Sequence, residues 1–314
     1  MKAWTINGEA EIPEPMPREG ELLVRVCAAG VTPTELLWYP TTHTKEGGRR
    51  SAAVPSHEFS GEVAEVGGGV TGFAIGQEIY GMNDWFADGA LAEYCVTRPD
   101  WIAPKPRRIG HAEAASVPIG ALAAWQGLFD RAKLQPGERV LIHGGAGAVG
   151  VYAIQLAHAH GAHVITTVSA HNIAFVRALG ADQAIDYKAG PFEKEAQDID
   201  VVFDTVGGET LRRSWSVLKS NGRLVTIAAG SEATSGERVK QAFFIVEPNH
   251  AQLAEVGQRI DAGILQPVVD SIVPFSQAAE AYAGTVERKG RGKLVVMSAV
   301  DCAQTRTPPP AGRR

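Results

Sequence analysis

A short apolar run, closely spaced glycines and a helix-forming segment, in that order, most constrain what this chain can fold into. The apolar run covers Val140 to Ile142, and a helical periodicity follows over residues 149–156. Between them, glycines allow a tight turn close to phosphate groups, and the free N–H groups at the start of the helix attract negative charge. The pattern predicts a parallel α/β domain that binds a dinucleotide. Its pyrophosphate loop would comprise Gly145, Gly147, Ala148, Val149 and Gly150.

The residues after the next predicted strand, 163–168, indicate which dinucleotide binds. NAD-selective sites place Asp or Glu at this strand end to hold the ribose 2′-hydroxyl. Here the chain has Ser169, His171 and Asn172, and the first acid after the glycine loop is Asp182. No carboxylate would repel a 2′-phosphate, and the three polar side chains can donate hydrogen bonds to one. The sequence therefore predicts NADP(H) as the cofactor.

The composition indicates a globular protein with more than one domain. At 314 residues the chain exceeds the usual size of a single hydrophobic core. Its net charge of −5 and lack of a basic cluster argue against nucleic acid or an anionic membrane surface as a partner. No uninterrupted apolar stretch is long enough to cross a bilayer, and the amino terminus lacks the apolar core of a signal peptide. We therefore expect a cytoplasmic location.

The cysteines support the same expectation. Cys27, Cys95 and Cys302 are few, odd in number and widely spaced. They form no CxxC pair, and we expect no disulfide framework. Such cysteine usage is typical of a reducing cytoplasm.

Two patterns of predicted elements divide the chain. Up to about residue 110, short runs such as ELLVRVCA and LAEYCV alternate with glycine-rich and proline-rich turns, which predicts a mostly antiparallel β domain. From about residue 117, strands alternate with helices, and the runs VLIHG, HVITTV, QAIDY, DVVFDTVG and GRLVTIAA read as a parallel sheet covered on both faces. Residues 301–314 are polar and proline-rich, so we expect a disordered tail.

Ordered motifs then show a resemblance. AAGVTPTELL, SHEFSGEVAEVG, HGGAGAVG, LGADQAIDY, VVFDTVGGETL, FFIVEPN and RGKLVV occur in the order seen in the zinc-free quinone oxidoreductase branch of the medium-chain dehydrogenase/reductase superfamily. The resemblance implies a GroES-like substrate domain formed by residues 1–116 and 266–300. A doubly wound Rossmann domain, residues 117–265, would bind NADP(H), with the active-site cleft between the two. It also implies a homodimer, and the apolar segment 243–248 could join its sheet edge.

The resemblance also allows the metal question to be examined by position. The catalytic zinc ligands of zinc-dependent relatives correspond here to Thr32, His57 and Ile119. A zinc site needs three protein ligands, so we predict no zinc and interpret His57 as a structural hydrogen-bonding residue.

Reduction of a simple ketone needs strong polarisation of its carbonyl, which zinc or a Tyr–Lys pair usually provides. The sequence shows no convincing candidate for either. Quinones and α,β-unsaturated carbonyls are more electrophilic, because the developing charge is delocalised to an oxygen that a hydroxyl can stabilise. We therefore expect an NADPH-dependent reductase of these compounds. The resemblance places Thr32, Glu35 and Tyr39 beside the nicotinamide as candidate catalytic groups.

Three further residues are candidate cofactor contacts. The resemblance implies that Tyr187 contacts the cofactor, as its counterpart does in the family. Asp204 should lie at the carboxyl edge of the sheet, and Arg291 could be a cation for the 2′-phosphate or the nicotinamide side. Two alternatives stay open. One is a zinc-type alcohol dehydrogenase with unusual ligands, and the other is a non-catalytic NADPH-binding sensor or structural protein.

Overall fold

The computed structural model describes residues 1–228, 236–300 and 302. In chain order the strands are β1 Lys2–Thr5, β2 Gly8–Glu11, β3 Leu22–Gly30, β4 Glu58–Val66, β5 Glu78–Met82, β6 Tyr94–Thr97, β7 Ile102–Pro104, β8 Arg139–His143, β9 His163–Val168, β10 Gln183–Asp186, β11 Ile199–Asp204, β12 Leu218–Thr226, β13 Val269–Val273 and β14 Lys293–Met297. The predicted disordered tail, 301–314, lies outside the described residues apart from Cys302.

The helices alternate with the strands in the second part of the chain, as the sequence predicts. They are α1 Tyr39–Thr42, α2 His111–Ala115, α3 Pro118–Trp125, α4 Gly150–Ala159, α5 Ile173–Ala178, α6 Gly208–Ser214, α7 Glu237–Ala242, α8 His250–Asp261 and α9 Ala278–Ala283. A π-helical turn, Gln126–Arg131, continues α3.

The predicted parallel sheet is present. Within the described residues its strand order is β10-β9-β8-β11-β12, and every neighbouring pair is parallel. Val140 and Ile142 of β8 pack into one apolar cluster, while Leu141 between them packs into another. All three are fully buried. Successive side chains on a strand point to opposite faces, so burial of all three means that helices cover both faces, as the doubly wound fold requires.

The other large sheet is mostly antiparallel. Its order is β13-β14-β3-β4-β5-β7, with β6 paired to β3. Strands β13 and β14 come from the end of the chain, and β14 pairs antiparallel with β3, where Val296 lies opposite Ala29. The chain therefore returns after the parallel sheet to complete the sheet that its amino-terminal part begins. This mixed architecture confirms the predicted fold class, a GroES-like domain and a Rossmann-type domain.

A direct junction joins the two sheets at the glycine loop. The N–H of Gly292, just before β14, donates to the carbonyl of Ala146 at 2.8 Å, and Gly147 lies opposite Gly292 in an isolated parallel bridge. The start of β14 is thus held against the loop that follows β8, and the cleft opens beside this junction.

The sequence predicts no disulfide framework, and the structure contains one disulfide that this prediction did not anticipate. Cys27 and Cys302 form a disulfide although 275 positions separate them. The cause is the return of the chain: Ser298, one residue past β14, donates its N–H to the carbonyl of Cys27 at 3.0 Å. Spacing along the sequence contains no information about such a long-range closure.

Residues 243–248, which are expected to join a sheet edge, form only a short backbone pairing with the end of β12. Phe243 forms an isolated parallel bridge with Thr226 at the end of β12, and the N–H of Phe244 donates to Thr226 at 3.1 Å. Among the helices of the described residues, none has both the length and the apolar character that a bilayer-crossing segment needs.

Candidate active site

A cavity of about 220 Å³ lies beside the junction of the two sheets. Its apolar wall combines residues from both parts of the chain: Trp38, Trp85, Ile119, Ile227, Phe243 and Val246. Ala148 and Val149 of the glycine loop also line it. A ligand in this cavity would therefore sit directly against the predicted dinucleotide loop, in largely apolar surroundings.

Lys293 and Thr32 introduce polar groups into this apolar wall. The Lys293 ammonium donates to the Thr32 hydroxyl oxygen at 3.0 Å, and both residues line the cavity. The same ammonium lies 2.5 Å from the Glu58 carboxylate, which also accepts from the N–H of Ile119 at 2.9 Å. A hydroxyl that accepts from an ammonium keeps its own proton free to donate. Thr32 can therefore donate a hydrogen bond to a ligand oxygen while Lys293 supplies positive charge behind it.

The Lys293–Glu58 pair is deeply buried. Glu58 is fully buried and Lys293 is 5% exposed. Burial raises the pKa of Glu58, and the charge of Lys293 opposes this shift. Because removal of one partner leaves the other uncompensated, the two groups function as a unit.

Sequence reasoning missed Lys293. It lies in the motif RGKLVV, which the resemblance used only as a marker of the family. The available signal was a lysine at the first position of an apolar strand, and it becomes meaningful only when β14 is placed beside Thr32.

Glu35, a candidate catalytic group in the sequence, does not line the cavity. Its carboxylate is fully buried and bonds the imidazole of His57 at 2.6 Å, the N–H of Ser56 at 3.0 Å and the hydroxyl of Tyr282. Burial is the main cause that raises the pKa of Tyr282, and the negative charge of Glu35 raises it further. The phenol therefore keeps its proton and remains a hydrogen-bond donor. With these partners occupied, Glu35 faces away from the cavity, so the structure does not bring it to the position expected beside the nicotinamide.

The Glu35 network supports a strained turn. Ser56 has φ of 66°, a left-handed conformation that costs a non-glycine residue roughly 1–2 kcal/mol. The hydrogen bond from its N–H to Glu35 holds this turn, which precedes β4 and thereby fixes Glu58. Glu35 is thus connected to the cavity through the backbone that carries Glu58, the partner of Lys293.

Tyr39, the third candidate, points outward. Its side chain is 55% exposed and its ring stacks on His43 with centroids 4.3 Å apart. Its neighbours Trp38 and Pro40 line the cavity instead. Of the three catalytic candidates, the structure brings Thr32 alone to the cavity.

The donor set at the family's catalytic metal position does not fit zinc. Both nitrogens of His57 are engaged, Nδ1 with Glu35 and Nε2 with the carbonyl of Ala87 at 3.2 Å. Ile119 has no ligand atom in its side chain, and the Thr32 oxygen faces an ammonium, which would repel a cation. Structural and catalytic zinc sites need three or four protein ligands, and these positions do not provide them.

The glycine loop does fit a dinucleotide. Gly147 is exposed, and a Cβ built on it would meet only the carbonyl of Gly144, at 3.3 Å, so its surface is open to a ligand. Gly145 and Gly150 are packed instead: a Cβ would lie 2.1 Å from Thr166 Oγ1 at the first and 2.3 Å from the Gly144 carbonyl at the second. The glycines therefore serve two purposes, close packing inside the loop and close approach outside it.

The predicted phosphate-reading residues gather at the end of β9. Arg291 donates to the Asn172 side chain at 2.8 Å and to the carbonyl of His171 at 3.2 Å. Ser169 lies 3.5 Å from the His171 ring, and the N–H of Tyr187 donates to Val168 at 3.2 Å. A guanidinium, a serine hydroxyl and an imidazole thus lie at the strand end where NAD-selective proteins carry an acid, and the Tyr187 backbone is bonded beside them.

Asp204 is a turn-forming residue. Its fully buried carboxylate accepts from the N–H groups of Val206 and Gly207, at 3.0–3.1 Å, and from the Thr226 hydroxyl at 2.8 Å. All of these partners belong to the protein, so Asp204 contributes to the cofactor edge through the turn that it shapes.

Comparisons with known proteins agree with this architecture. Residues 18–107 match the alcohol dehydrogenase GroES-like domain, and residues 179–296 match a family described as zinc-binding dehydrogenase. The chain is 32% identical to NAD(P)H oxidoreductase RTN4IP1, mitochondrial, of Danio rerio, over 88% of this chain and 83% of the relative. It is also 32% identical to the NADPH-dependent alkenal/one oxidoreductase, chloroplastic, of Arabidopsis thaliana, over 94% and 79%.

A solved structure gives the same result. The quinone oxidoreductase from Coxiella burnetii superposes with a TM-score of 0.84 and 30% identity, covering 95% of this chain and 99% of that one. The chain belongs to the quinone oxidoreductase branch of the medium-chain dehydrogenase/reductase superfamily. It is therefore an oxidoreductase of a family that uses NAD(P).

Proposed function

We propose that this protein is an NADPH-dependent, zinc-independent reductase of quinones or α,β-unsaturated carbonyls. The observation that carries the proposal is the Lys293–Thr32 pair in an otherwise apolar cavity against the glycine loop. The relatives named as quinone oxidoreductase and as alkenal/one oxidoreductase support the substrate class.

NADPH is the cofactor that this chain's residues suit. The loop at Gly147 would hold the pyrophosphate, while Ser169, His171, Asn172 and Arg291 would hold the 2′-phosphate. The cofactor supplies a hydride from its nicotinamide ring when bound.

The chain's own residues supply the other half of the chemistry. Apolar walls exclude water and so strengthen the electrostatic interactions inside the cavity. Thr32 donates a hydrogen bond to the substrate oxygen, on which negative charge grows as a conjugated acceptor is reduced. Lys293 stabilises that charge through its ammonium, and Glu58 holds Lys293 in place. This arrangement replaces the polarising role that zinc has in other members of the superfamily, whose ligand positions this chain does not match.

A substrate panel tests the proposal. The decrease in NADPH absorbance would be followed with a benzoquinone, a conjugated alkenal and the matched saturated aldehyde, with and without a zinc chelator, using the protein with its Cys27–Cys302 disulfide intact. We expect turnover of the conjugated acceptors, little turnover of the saturated aldehyde, and no effect of the chelator. Chelator-sensitive activity would favour a zinc-type alcohol dehydrogenase, and tight NADPH binding without turnover would favour the non-catalytic alternative.

We also propose that the protein is a homodimer joined at the β12 edge of the parallel sheet. The partial pairing of Phe243 with Thr226, at the end of the edge strand of this sheet, supports this edge as the contact. Light scattering after size exclusion tests it. A monomer mass for the wild type would contradict it.

A further inference from the structure

Three metal-ligating side chains converge away from the cavity, where α2 packs on the antiparallel sheet. Cys27 of β3, Glu62 of β4 and His111 at the start of α2 place one ligand atom each within 4.8 Å of one another. Cys27 occupies an irregularity of β3, because Val26 lies opposite Gly61 while Ala28 lies opposite the adjacent Ser60. The extra residue of this bulge directs an additional side chain to the cluster.

Cys302 supplies a second sulfur beside this group, although its Sγ is not among the atoms that lie within 4.8 Å of one another. It is bonded to the sulfur of Cys27, so after reduction a rotation of the Cys302 side chain would bring its thiol towards Glu62 and His111. Two sulfurs, one imidazole nitrogen and one carboxylate oxygen form a donor set that suits tetrahedral Zn²⁺. Zinc bond lengths imply ligand atoms about 3.5 Å apart. The ligand atoms of Cys27, Glu62 and His111 would need a small contraction around the ion, and the two sulfurs, bonded to each other in the disulfide, would have to separate after reduction.

Neighbouring groups already orient the two non-sulfur ligands. Ser60 donates its hydroxyl proton to the carbonyl of Ile79 at 2.8 Å, so its oxygen accepts from Nδ1–H of His111, also at 2.8 Å. That hydrogen bond leaves Nε2 of the neutral imidazole as the nitrogen available to a metal. This nitrogen lies 3.3 Å from Oε1 of Glu78, which is a second carboxylate within reach of the site.

The charges also balance. Arg25 bonds Oε2 of Glu62 at 2.5 Å, and within the described part of the chain Oε1 makes no hydrogen bond. Two thiolates, one carboxylate, Zn²⁺ and the adjacent guanidinium sum to zero net charge. A neutral cluster can be buried at far lower cost than a charged one.

We propose that the reduced protein binds one Zn²⁺ through Cys27, Cys302, His111 and Glu62. Reduction by an external dithiol or phosphine adds two electrons and two protons to the Cys27–Cys302 disulfide and leaves two thiols. Binding of Zn²⁺ then releases these two protons as the thiolates form Zn–S bonds. Disulfide and zinc are therefore mutually exclusive links between β3 and the residue beyond β14. In the reducing cytoplasm expected from the sequence, the zinc form would predominate.

Zinc titration of the full-length chain tests this proposal. Protein reduced with a phosphine and freed of metal under anaerobic conditions would be titrated with Zn²⁺ against a chromogenic chelator, and with Co²⁺ for its absorption spectrum. We expect one equivalent of zinc and a thiolate-to-cobalt charge-transfer band in the reduced protein. The oxidised, disulfide-bonded protein should bind neither ion at this affinity.

Variants assign the ligands. Cys302→Ser and His111→Ala should each weaken zinc binding by about 100-fold or more, since even a neighbouring group that only orients a ligand is worth 10-fold to 100-fold. The control is Cys95→Ala, which alters a buried free thiol elsewhere and should bind zinc as the wild type does. Glu78→Gln tests the carboxylate 3.3 Å from Nε2 of His111 and should weaken binding less than Glu62→Gln does. Circular dichroism would verify that each variant is folded.

Several results would overturn the site. Reduced wild type that binds no zinc, or a Cys302→Ser variant that binds it equally well, would exclude the thiolates. Equal binding by oxidised and reduced protein would place the metal elsewhere. If Glu78→Gln bound zinc more weakly than Glu62→Gln, the carboxylate ligand would be Glu78 instead of Glu62, which would contradict the proposed ligand set.

Discussion

The Lys293 ammonium lies 3.0 Å from the Thr32 hydroxyl, and this contact joins the first residue of the last strand to the loop after β3. It makes a testable claim about charge. Lys293→Met should lower kcat for a quinone by about 100-fold, the usual effect of deleting one group that stabilises a developing oxyanion. Steady-state kinetics with NADPH in excess measure this loss.

The control for that substitution must address the buried Glu58. Lys293→Met/Glu58→Gln removes both charges and should recover stability without recovering activity. Lys289→Met, at an exposed position nearby, should behave as the wild type. An active Lys293→Met enzyme would remove Lys293 from the mechanism.

Gly147 and Gly150 should respond differently to an added methyl group. In Gly147→Ala the added methyl group would contact one atom, at 3.3 Å, so the variant should fold. It should bind NADPH at least about 10-fold more weakly, because the methyl group occupies the phosphate side of the loop. Gly150→Ala places a Cβ 2.3 Å from the Gly144 carbonyl and should lower the melting temperature instead. Titration calorimetry and thermal unfolding separate the two effects, and equal NADPH affinity in Gly147→Ala would move the pyrophosphate elsewhere.

Cofactor selectivity should depend on the residues at the end of β9. Arg291→Ala should weaken NADPH binding by roughly 10-fold to 100-fold and leave NADH binding nearly unchanged, since hydrogen bonds to charged groups contribute about 1.5–3 kcal/mol. Ser169→Asp should shift preference towards NADH by repelling the 2′-phosphate. The ratio of kcat/KM for the two cofactors is the measurement, with Lys289→Ala as the control. If both variants kept the wild-type ratio, the 2′-phosphate would have to bind at another place.

Glu35 allows a positioning role to be distinguished from a catalytic one. Glu35→Gln removes a buried charge bonded to His57 and Ser56, so the free energy of unfolding should fall by about 3 kcal/mol. Turnover by the folded fraction should change only a few-fold, whereas loss of a proton donor would cost about 100-fold to 10,000-fold. Denaturant titration and active-site-normalised kcat decide between these outcomes.

His143 should make the protein sensitive to acid. It is fully buried between the hydroxyls of Thr167 and Ser214, and burial lowers the pKa of His143 to about 4. The unfolded chain therefore binds a proton more readily, so stability is complete above about pH 6.5 and decreases as the pH falls towards 4. Between pH 7 and 4.5 this group should cost roughly 2–3 kcal/mol. His143→Gln should remove that part of the pH dependence, and a variant with an unchanged profile would contradict the assignment.

Local patterns were sufficient to predict the parallel sheet. Val140–Ile142 in one strand and Val164 and Ile165 in the next are successive apolar residues that pack into two separate clusters, as a strand covered on both faces requires. The glycine spacing marks the turn between strand and helix. The polar residues after β9 could be recognised for the same reason, since they follow a strand whose end is fixed.

Relations between distant segments were beyond such reasoning. The role of Lys293 depends on Thr32, which is far away in sequence, and the Cys27–Cys302 bond depends on the chain's return along β3. Glu35 and Tyr39 share one loop, yet only the packed structure shows that one is buried and the other exposed. Sequence position restricts a side chain to a loop and leaves its direction undetermined.

The junction at Gly292 has a consequence for how this enzyme could diversify. Gly292 has φ of 71°, and a Cβ there would lie 2.1 Å from the Val268 carbonyl, so the position accepts little but glycine. On one side of it Arg291 reaches Asn172 and His171, which we propose discriminate between the cofactors, and on the other Lys293 reaches the cavity. A one-residue insertion or deletion here would displace both side chains together. With the proposed roles of Arg291 and Lys293, cofactor choice and substrate reduction would be genetically linked traits, altered separately by point substitution and jointly by any change in the length of that segment.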